Sequence, residues 1–458
     1  MLSPVVLASV TAAQPDLLWM EQFGTVAQDQ ATGLARDNGG GVFVTGFTNG
    51  SLGGPNAGSD DAFLAHHDSA GDQIFLMQFG TSGSDEAYAS ASDGAGGVFV
   101  AGSTTGSLGG PNAGSWDAFL VRLDSAGIPG WIKQFGTFTD DRGYALAPDG
   151  AGGVFIAGWT SGDLGGSFAG GTDVYLTRFD SAGNQAWIRQ FGTGYHERAC
   201  ALGSDQSGGV FVAGWTHGDL GGPIAGGTDA YLTRFDGDGS QAWIKQFGTS
   251  DDDQITALLP DEAGGVFVAG FTKGNLGGPN QGGSDMFVAR YDGAGEQIWV
   301  TQLGTDGSDE ANALAPDGNG GMFVAGYTGG SLGGPNAGND AFVARYDQDG
   351  SVHGITQFGT NSSDLAYALA PAAGAGVFVA GYTDGSLGGP SAGGLDVFLG
   401  RFRACYSDCD GSGTLDLFDF LCFVNEFNGG TDYADCSANG AFDLFDFLCF
   451  VNAFNEGC

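Results

Sequence analysis

The sequence predicts an all-β fold: a seven-bladed β-propeller of four-stranded blades, closed by the N-terminal strand and followed by a small α-helical C-terminal domain. Three observations predict it. Three short motifs each recur seven times at nearly constant spacing. Between them, short apolar runs alternate with turn residues. The last repeat lacks a strand that the chain supplies at its beginning.

Self-similarity at a fixed period is the signature of a repeat architecture. Gln-Phe-Gly-Thr starts at Gln22, Gln78, Gln134, Gln190, Gln246 and Gln357, with Gln-Leu-Gly-Thr at Gln302, so the period is 56 residues and once 55. Gly-Gly-Val-Phe-Val and its close variants place an aromatic ring at Phe43, Phe99, Phe155, Phe211, Phe267, Phe323 and Phe378. Leu-Gly-Gly begins at Leu52, Leu108, Leu164, Leu220, Leu276, Leu332 and Leu387. The composition agrees. The 458 residues include 88 Gly and 35 Phe, and 42% are hydrophobic, which suits short strands, tight turns and a large core.

Within one unit, four strands are expected. The first is the Ala-rich run around Ala145-Leu146-Ala147, closed by a Pro-Asp-Gly turn. The second is Val154–Gly158. A Gly-rich loop leads to the third, Asp173–Phe179, and an Asp-x-x-Gly turn to the fourth, Ala186–Phe191. The apolar runs are nearly continuous, as in sheets covered on both faces. The last unit stops after its third strand, Asp396–Phe402, while Leu17–Phe23 reads as an orphan fourth strand. Pairing the two closes the ring and removes its exposed edges.

These residues carry a resemblance. The pattern of Trp, Gln-Phe-Gly-Thr, Asp and Asp-Gly-x-Gly-Gly-Val-Phe-Val over residues 16–403 resembles the SBBP repeats, a bacterial seven-bladed propeller family. The resemblance implies architecture and no particular activity.

Two positions are acidic in every unit. One comprises Asp29, Asp85, Asp141, Glu197, Asp253, Asp309 and Asp364; the other Asp61, Asp117, Asp173, Asp229, Asp285, Asp340 and Asp396. Repeated cation or sugar sites are one reading. Identity across all blades favours the other, carboxylates that accept hydrogen bonds from turn N–H groups. Most second strands end in an aromatic-Thr pair, at Phe47, Trp159, Trp215, Phe271, Tyr327 and Tyr382 with Ser103 as the exception. These rings either pack between blades or rim one face for a glycan or peptide.

Catalytic machinery is not expected. His66, His67, His196, His217 and His353 stand at no metal or triad spacing. Cys200 lies alone in a first strand where sister positions hold Thr, Tyr or Asn, and reads as an inert thiol. A catalytic site needs different roles from different residues, whereas the acids repeat. The net charge of −39 disfavours nucleic acid and anionic lipid and favours cations.

After Arg403 the composition changes. Six of the seven Cys lie in residues 404–458, and the segment holds two copies offset by 27 residues. Each begins with an EF-hand-like loop whose oxygen donors suit calcium. In the first, Asp408, Asp410, Ser412, the Thr414 carbonyl, Asp416 and Asp419 are the ligands, with Gly413 at the sharp turn. In the second they are Asp435, Ser437, Asn439, the Ala441 carbonyl, Asp443 and Asp446, with Gly440 at the turn. The second loop has fewer carboxylates, so weaker calcium binding is expected there. Loop-helix units with Asp at the twelfth position resemble a dockerin. Gly457-Cys458 and Phe-Asp-Phe-Leu-Cys-Phe are similar to the Cys-terminated tails of planctomycete-type secreted proteins. The resemblance implies docking onto a protein partner, cohesin-like or a cell-surface component. Phe423, Asn425, Phe450 and Asn452 replace the polar recognition residues usual in cellulosomal dockerins. A calcium-stapled cap without a partner is the alternative for the tail. Six Cys in so small a module imply disulfides of undetermined pairing.

The expected organisation is therefore a signal-peptide-like segment at residues 1–13, a propeller over 14–403 and a dockerin-like domain over 404–458. No apolar run approaches the ~18 residues of a transmembrane helix. The expected role is a secreted or surface-anchored binding or scaffold protein without enzymatic activity, extracellular or at the cell surface. The alternative is a polysaccharide-active hydrolase or lyase with a dockerin-like anchor.

Overall fold

The computed structural model describes residues 15–373, 376–403, 417–429, 447, 450 and 451; the signal-like segment at residues 1–13 lies outside them. Six repeats each fold as one antiparallel sheet of four sequential strands, and a seventh four-stranded sheet joins the last three strands to the N-terminal one, making seven sheets among the described residues. Blades are numbered 1 to 7 from the sheet that begins at Asp29. Blade 3, for example, comprises Asp141–Pro148, Val154–Thr160, Asp173–Phe179 and Gln185–Phe191. Blade 4 comprises Glu197–Ser204, Val210–Thr216, Asp229–Phe235 and Gln241–Phe247.

The strands run slightly longer than their apolar runs. First strands begin at the ring acid, four residues before the Ala run, because that carboxylate anchors the incoming loop. Thr137 N–H donates to Asp141 Oδ2 at 2.5 Å in blade 3. Second strands extend through the aromatic-Thr pair, since Thr160 still pairs with Asp141. Tight turns supply the rest. Asp180 Oδ1 accepts from Ala182 N and Asn184 N, and Gly183 takes φ +78, a conformation that favours glycine.

The ring closes. First strands of neighbouring blades touch in an unbroken cycle, and that of blade 7, Asp364–Ala372, meets that of blade 1, Asp29–Arg36. Blade 7 is completed by the N-terminal strand Asp16–Phe23, which pairs antiparallel with Asp396–Arg403 from Asp16↔Arg403 to Phe23↔Val397. Trp19 rests on Phe378 with ring centroids 6.0 Å apart. Gln22 Nε2 donates to Gly385 O and Asp396 Oδ2, each at 2.8 Å, as the equivalent Gln does within every other blade.

The core lies between blades. One cluster joins Ala145, Phe155 and Leu176 of blade 3 to Val210, Val212 and Tyr231 of blade 4, and equivalent clusters recur around the ring. Burying both faces of each sheet in this way is the main source of stability. Outer strands are stapled across blades: Trp187 Nε1 donates to Gly237 O at 3.0 Å, and Trp243 Nε1 to Gly293 O at 3.0 Å.

Beyond the ring, a helix spans Leu417–Gly429. Phe423 is buried and stacks on Phe450 at 4.0 Å and 8°, and Phe420 meets Phe447 at 6.0 Å. Both are pairs of equivalent residues from the two tail copies. Among the described residues no helix is long and apolar enough to cross a membrane.

Candidate functional site

Each first strand carries two kinds of information on its two faces. In Glu197–Ser204, Glu197, Ala199 and Ala201 are buried in the blade stack, while Arg198 and Cys200 are half-buried and face the channel.

The buried face belongs to the acid lattice. The Gln of Gln-Phe-Gly-Thr is its hub. Gln78 Nε2 donates to Asp61 Oδ2 at 2.9 Å and to Gly50 O at 3.0 Å, and its Oε1 accepts from Leu52 N at 2.8 Å. This ties the Leu-Gly-Gly loop to the third strand, and Ala57 N–H adds a bond to Asp61 at 2.7 Å. The other ring of acids accepts from the motif Thr, as Thr81 N–H and Oγ1–H donate to Asp85 Oδ2 at 2.5 and 2.8 Å. The Thr ending the second strand adds a bond in several blades, for example Thr216 Oγ1–H to Glu197 Oε1 at 2.9 Å.

Acids of adjacent blades converge on the motif glycine. A Cβ at Gly136 would strike Asp117 Oδ1 and lie 3.1 Å from Asp141 Oδ2. Glycine is required here for close approach of a buried carboxylate, not for backbone freedom. Burial pushes the Asp141 carboxyl above its ordinary range, and nearby Asp117 adds to this against the Thr hydrogen bonds that lower it. The lattice acids thus hold the ring together through side-chain and turn hydrogen bonds, with Gln and Thr partners that repetition alone did not reveal. Among the described residues no three His, Cys, Asp or Glu side chains form a metal-binding group.

The channel face is different. Every first strand carries a bulge, at which one residue is skipped in the pairing with the second strand. In blade 3 the register jumps from Gly143 to Ala145, passing Tyr144; in blade 4 it jumps from Ala199 to Ala201, passing Cys200. Bulges of this kind re-aim a side chain. The skipped residues around the ring are Thr32, Tyr88, Tyr144, Cys200, Thr256, Asn312 and Tyr367, so no single residue type occupies the position. Some bridge blades: Thr32 Oγ1–H donates to Ala87 O at 2.8 Å, and Asn312 Nδ2–H to Ala366 O at 3.0 Å. Tyr88 and Tyr144 stack at 4.6 Å.

A cavity of ≈280 Å³ opens there. Arg198, Cys200 and Trp215 of blade 4 line it with Tyr144, Thr256, Asn312 and Tyr367 of blades 3, 5, 6 and 7. Arg198 pairs across the strands with Trp215, and its guanidinium lies 5.1 Å from the Trp159 ring and 5.2 Å from the Trp215 ring. The second-strand aromatics are not all alike. Trp159 packs between blades at 6% exposure, while Trp215 reaches the cavity. Arg142, the equivalent of Arg198 in blade 3, is engaged. It lies 3.4 Å from Glu86, donates to Tyr88 Oη at 2.7 Å and sits 3.9 Å over Trp116. Burial raises Glu86 above the ordinary carboxylate range, against the opposing pull of Arg142. Cys200 is poorly suited to nucleophilic work, because burial pushes its thiol up to about 12 against the opposing Arg198 charge.

His196 and His217 sit beside this mouth. Their rings are 6.1 Å apart, and His217 lies edge-on to Trp215 at 5.1 Å. His66 pairs with Asp37 at 2.7 Å, where other blades use an Arg–Asp pair such as Arg178–Asp149 at 2.8 Å. Arg142 and Arg198 were not singled out by the sequence. Their signal is a repeat position that changes character from blade to blade. Of the expected calcium ligands, Asp419 falls in the helix Leu417–Gly429. Asp408, Asp410, Ser412, Thr414, Asp416, Asp435, Ser437, Asn439, Ala441, Asp443 and Asp446 lie outside the described residues.

Known proteins offer a family profile, one curated relative and several solved structures for comparison. A family profile described as a beta-propeller repeat, SBBP, matches residues 298–333, which run from the outer strand of blade 5 into the Leu-Gly-Gly loop of blade 6. The regulatory protein FlaEY of Caulobacter vibrioides is 26% identical over 283 residues, 52% of this chain and 29% of that protein. The chain thus spans under a third of that relative's length. Among solved structures, a puromycin hydrolase mutant complexed with PGG aligns with a TM-score of 0.49 at 14% identity, covering 82% of this chain and 53% of that one. A gluconolactonase from Xanthomonas campestris aligns with a TM-score of 0.38 at 11% identity, covering 86% and 98%.

Proposed function

We propose that this chain is a non-catalytic binding propeller, exported to the cell surface or beyond, whose ring recognises a ligand at the channel mouth of blades 3 and 4. One observation carries the reading. The lattice positions repeat through all seven blades, yet the channel-facing positions beside them do not, and they converge on one cavity. A mixed wall of Tyr, Trp, Arg, Asn and Thr is the usual makeup of a small-molecule site. The similarity to a regulatory protein is compatible with binding in place of catalysis. The dockerin-like tail then joins the ring to an extracellular protein partner in a calcium-dependent way. Supporting this, equivalent phenylalanines of the two copies pack together, and Cys422 is disulfide-bonded, as a small exported module requires.

The test is capture by the immobilised full chain from a glycan array and from a native secretome, each with and without chelator. Glycan retention is expected to survive chelation and to fall on Trp215→Ala. Protein retention is expected to vanish with chelator, and Asp408→Ala to weaken calcium binding more than Asp435→Ala. Chelator-insensitive protein capture would overturn the tail reading. Glycan retention indifferent to Trp215→Ala would overturn the channel reading.

A further inference from the structure

We propose that the cavity at blades 3 and 4 is a carboxylate site, and that its ligand is an acidic sugar of the uronate class. This deepens the binding reading above and rests on it.

The first argument is charge. The chain has 53 acidic residues against 14 Lys and Arg. Cations are therefore scarce, and most of the structurally placed ones are engaged. Arg122, Arg178, Arg234, Arg290 and Arg345 each hold the turn Asp of their own blade, at 2.7 to 3.1 Å. Lys245 and Lys273 pair with Glu296 and Asp252 at 2.8 and 2.9 Å. Arg198 differs. Among the described residues its guanidinium makes no ion pair, and its Nε is buried without an acceptor. The flanking blades place Arg142 and Gln254 at the equivalent position, so neither brings a carboxylate beside it.

The second argument is geometry. Two indole rings hold the guanidinium in place, Trp159 at 5.1 Å and Trp215 at 5.2 Å. With two rings packed against the guanidinium, its N–H edges are the groups left to meet a ligand. Those edges are a fork that matches a planar carboxylate. Trp159 Nε1, in the same cluster and 6% exposed, is a second buried donor without an acceptor. An unsatisfied donor on the residue that lines the cavity, with a second packed against it, calls for an acceptor-rich, anionic group.

The third argument is the rest of the wall. Tyr144, Thr256, Asn312 and Tyr367 present hydroxyls, an amide and ring faces, which suit the hydroxyls and apolar faces of a sugar ring. The loops entering the first strands of blades 3 and 4 carry Phe138 and Tyr195, exposed at 82% and 62%. They stand exposed at the same end of those strands as Arg142 and Arg198. A cavity of ≈280 Å³ suits a ligand of sugar size.

Calorimetric titration of the full chain tests the proposal. The probes are glucuronate and galacturonate, glucose and methyl glucuronate ester as neutral counterparts, and acetate as a bare carboxylate. Uronates are expected to bind, more weakly as salt is raised, and the neutral probes and acetate to bind about tenfold to a hundredfold more weakly, the range of one charge-assisted contact. Arg198→Gln is expected to lose that same factor while the melting temperature stays unchanged, and Lys245→Gln to leave binding intact. Neutral sugars binding as tightly as uronates, with Arg198→Gln silent, would overturn the carboxylate assignment and leave the channel reading standing. Acetate binding as tightly as uronate would overturn the sugar assignment. Uronates failing to bind while the array retains another ligand in a Trp215-dependent way would overturn the inference alone; loss of both would take the channel reading with it.

Discussion

Along the single strand Glu197–Ser204, alternate residues obey different rules. Glu197 belongs to a position that is acidic in all seven blades and fully buried. Its neighbour Arg198 belongs to a position filled by Gln30, Glu86, Arg142, Gln254, Glu310 and Leu365 in the other blades. The first faces a surrounding that the repeat reproduces seven times, so the same partners, Thr and the motif glycine, impose the same residue. The second faces the channel, where all seven blades meet and a single ligand would see each blade differently. In a repeat protein, sameness between copies marks the packing, and difference marks the places released from it.

The comparison can be broken most severely at its seam. The lattice is continuous only because Gln22 takes its place in blade 7. Deleting residues up to Gly24 removes a whole strand of that sheet and strands Asp396 and Leu387 without their Gln partner. Cooperative thermal unfolding is expected to be lost or to become biphasic by calorimetry. An unchanged single transition would mean that the seam is not needed.

A point change separates the two faces more finely. Gly192→Ala drives a methyl group against Asp173 Oδ1 and to 2.9 Å from Glu197 Oε2, at the heart of the lattice. Overpacking against buried carboxylates is expected to cost about 3 kcal/mol in urea unfolding. Gly194→Ala, two residues on, meets nothing within 4 Å and is expected to stay within about 0.5 kcal/mol. Equal effects would refute the role given to the motif glycine.

A further effect depends on pH and vanishes at neutrality. His67 is 1% exposed, and burial lowers its imidazole pKa from 6.5 to about 4, with nearby His66 adding to this. The unfolded chain takes up this proton near its ordinary value, while the folded chain refuses it until about pH 4. Stability is therefore whole above that ordinary value and is lost as pH falls toward 4, by up to about 3 kcal/mol. His67 packs tilted against Phe23 at 5.5 Å and 34°, and the sister pair Phe191–Phe235 does so at 5.5 Å and 37°. His67→Phe is expected to flatten that part of the stability profile without loss at neutral pH. An unchanged profile would place the acid sensitivity elsewhere.

The blade count, the strand order and the closing strand were legible because each rests on a local pattern that occurs seven times. Leu17–Phe23 could be recognised as a missing fourth strand from its Trp and its Gln-Phe-Gly-Thr alone. The role of Gln78 was not legible. A glutamine that bonds a loop from its own blade 26 residues earlier and a third-strand Asp leaves no mark except recurrence. The bulge at Tyr144 and Cys200 was hidden too, because the Ala run continues through it and only pairing shows the skipped residue. Arg198 was visible as one Arg among few, but its isolation between Trp159 and Trp215 joins two blades and had to await coordinates.

The seam has a mechanical consequence. The strand Asp396–Arg403, from which the chain continues toward the tail, is flanked on both sides, by Asp16–Phe23 and by Gly376–Thr383. Tension applied beyond Arg403 along the strand axis therefore loads two ladders in shear at once, so that many hydrogen bonds must fail together instead of one after another. A ring tethered through that strand would resist drag with its strongest geometry, and would give way at blade 7, where its first and last strands meet.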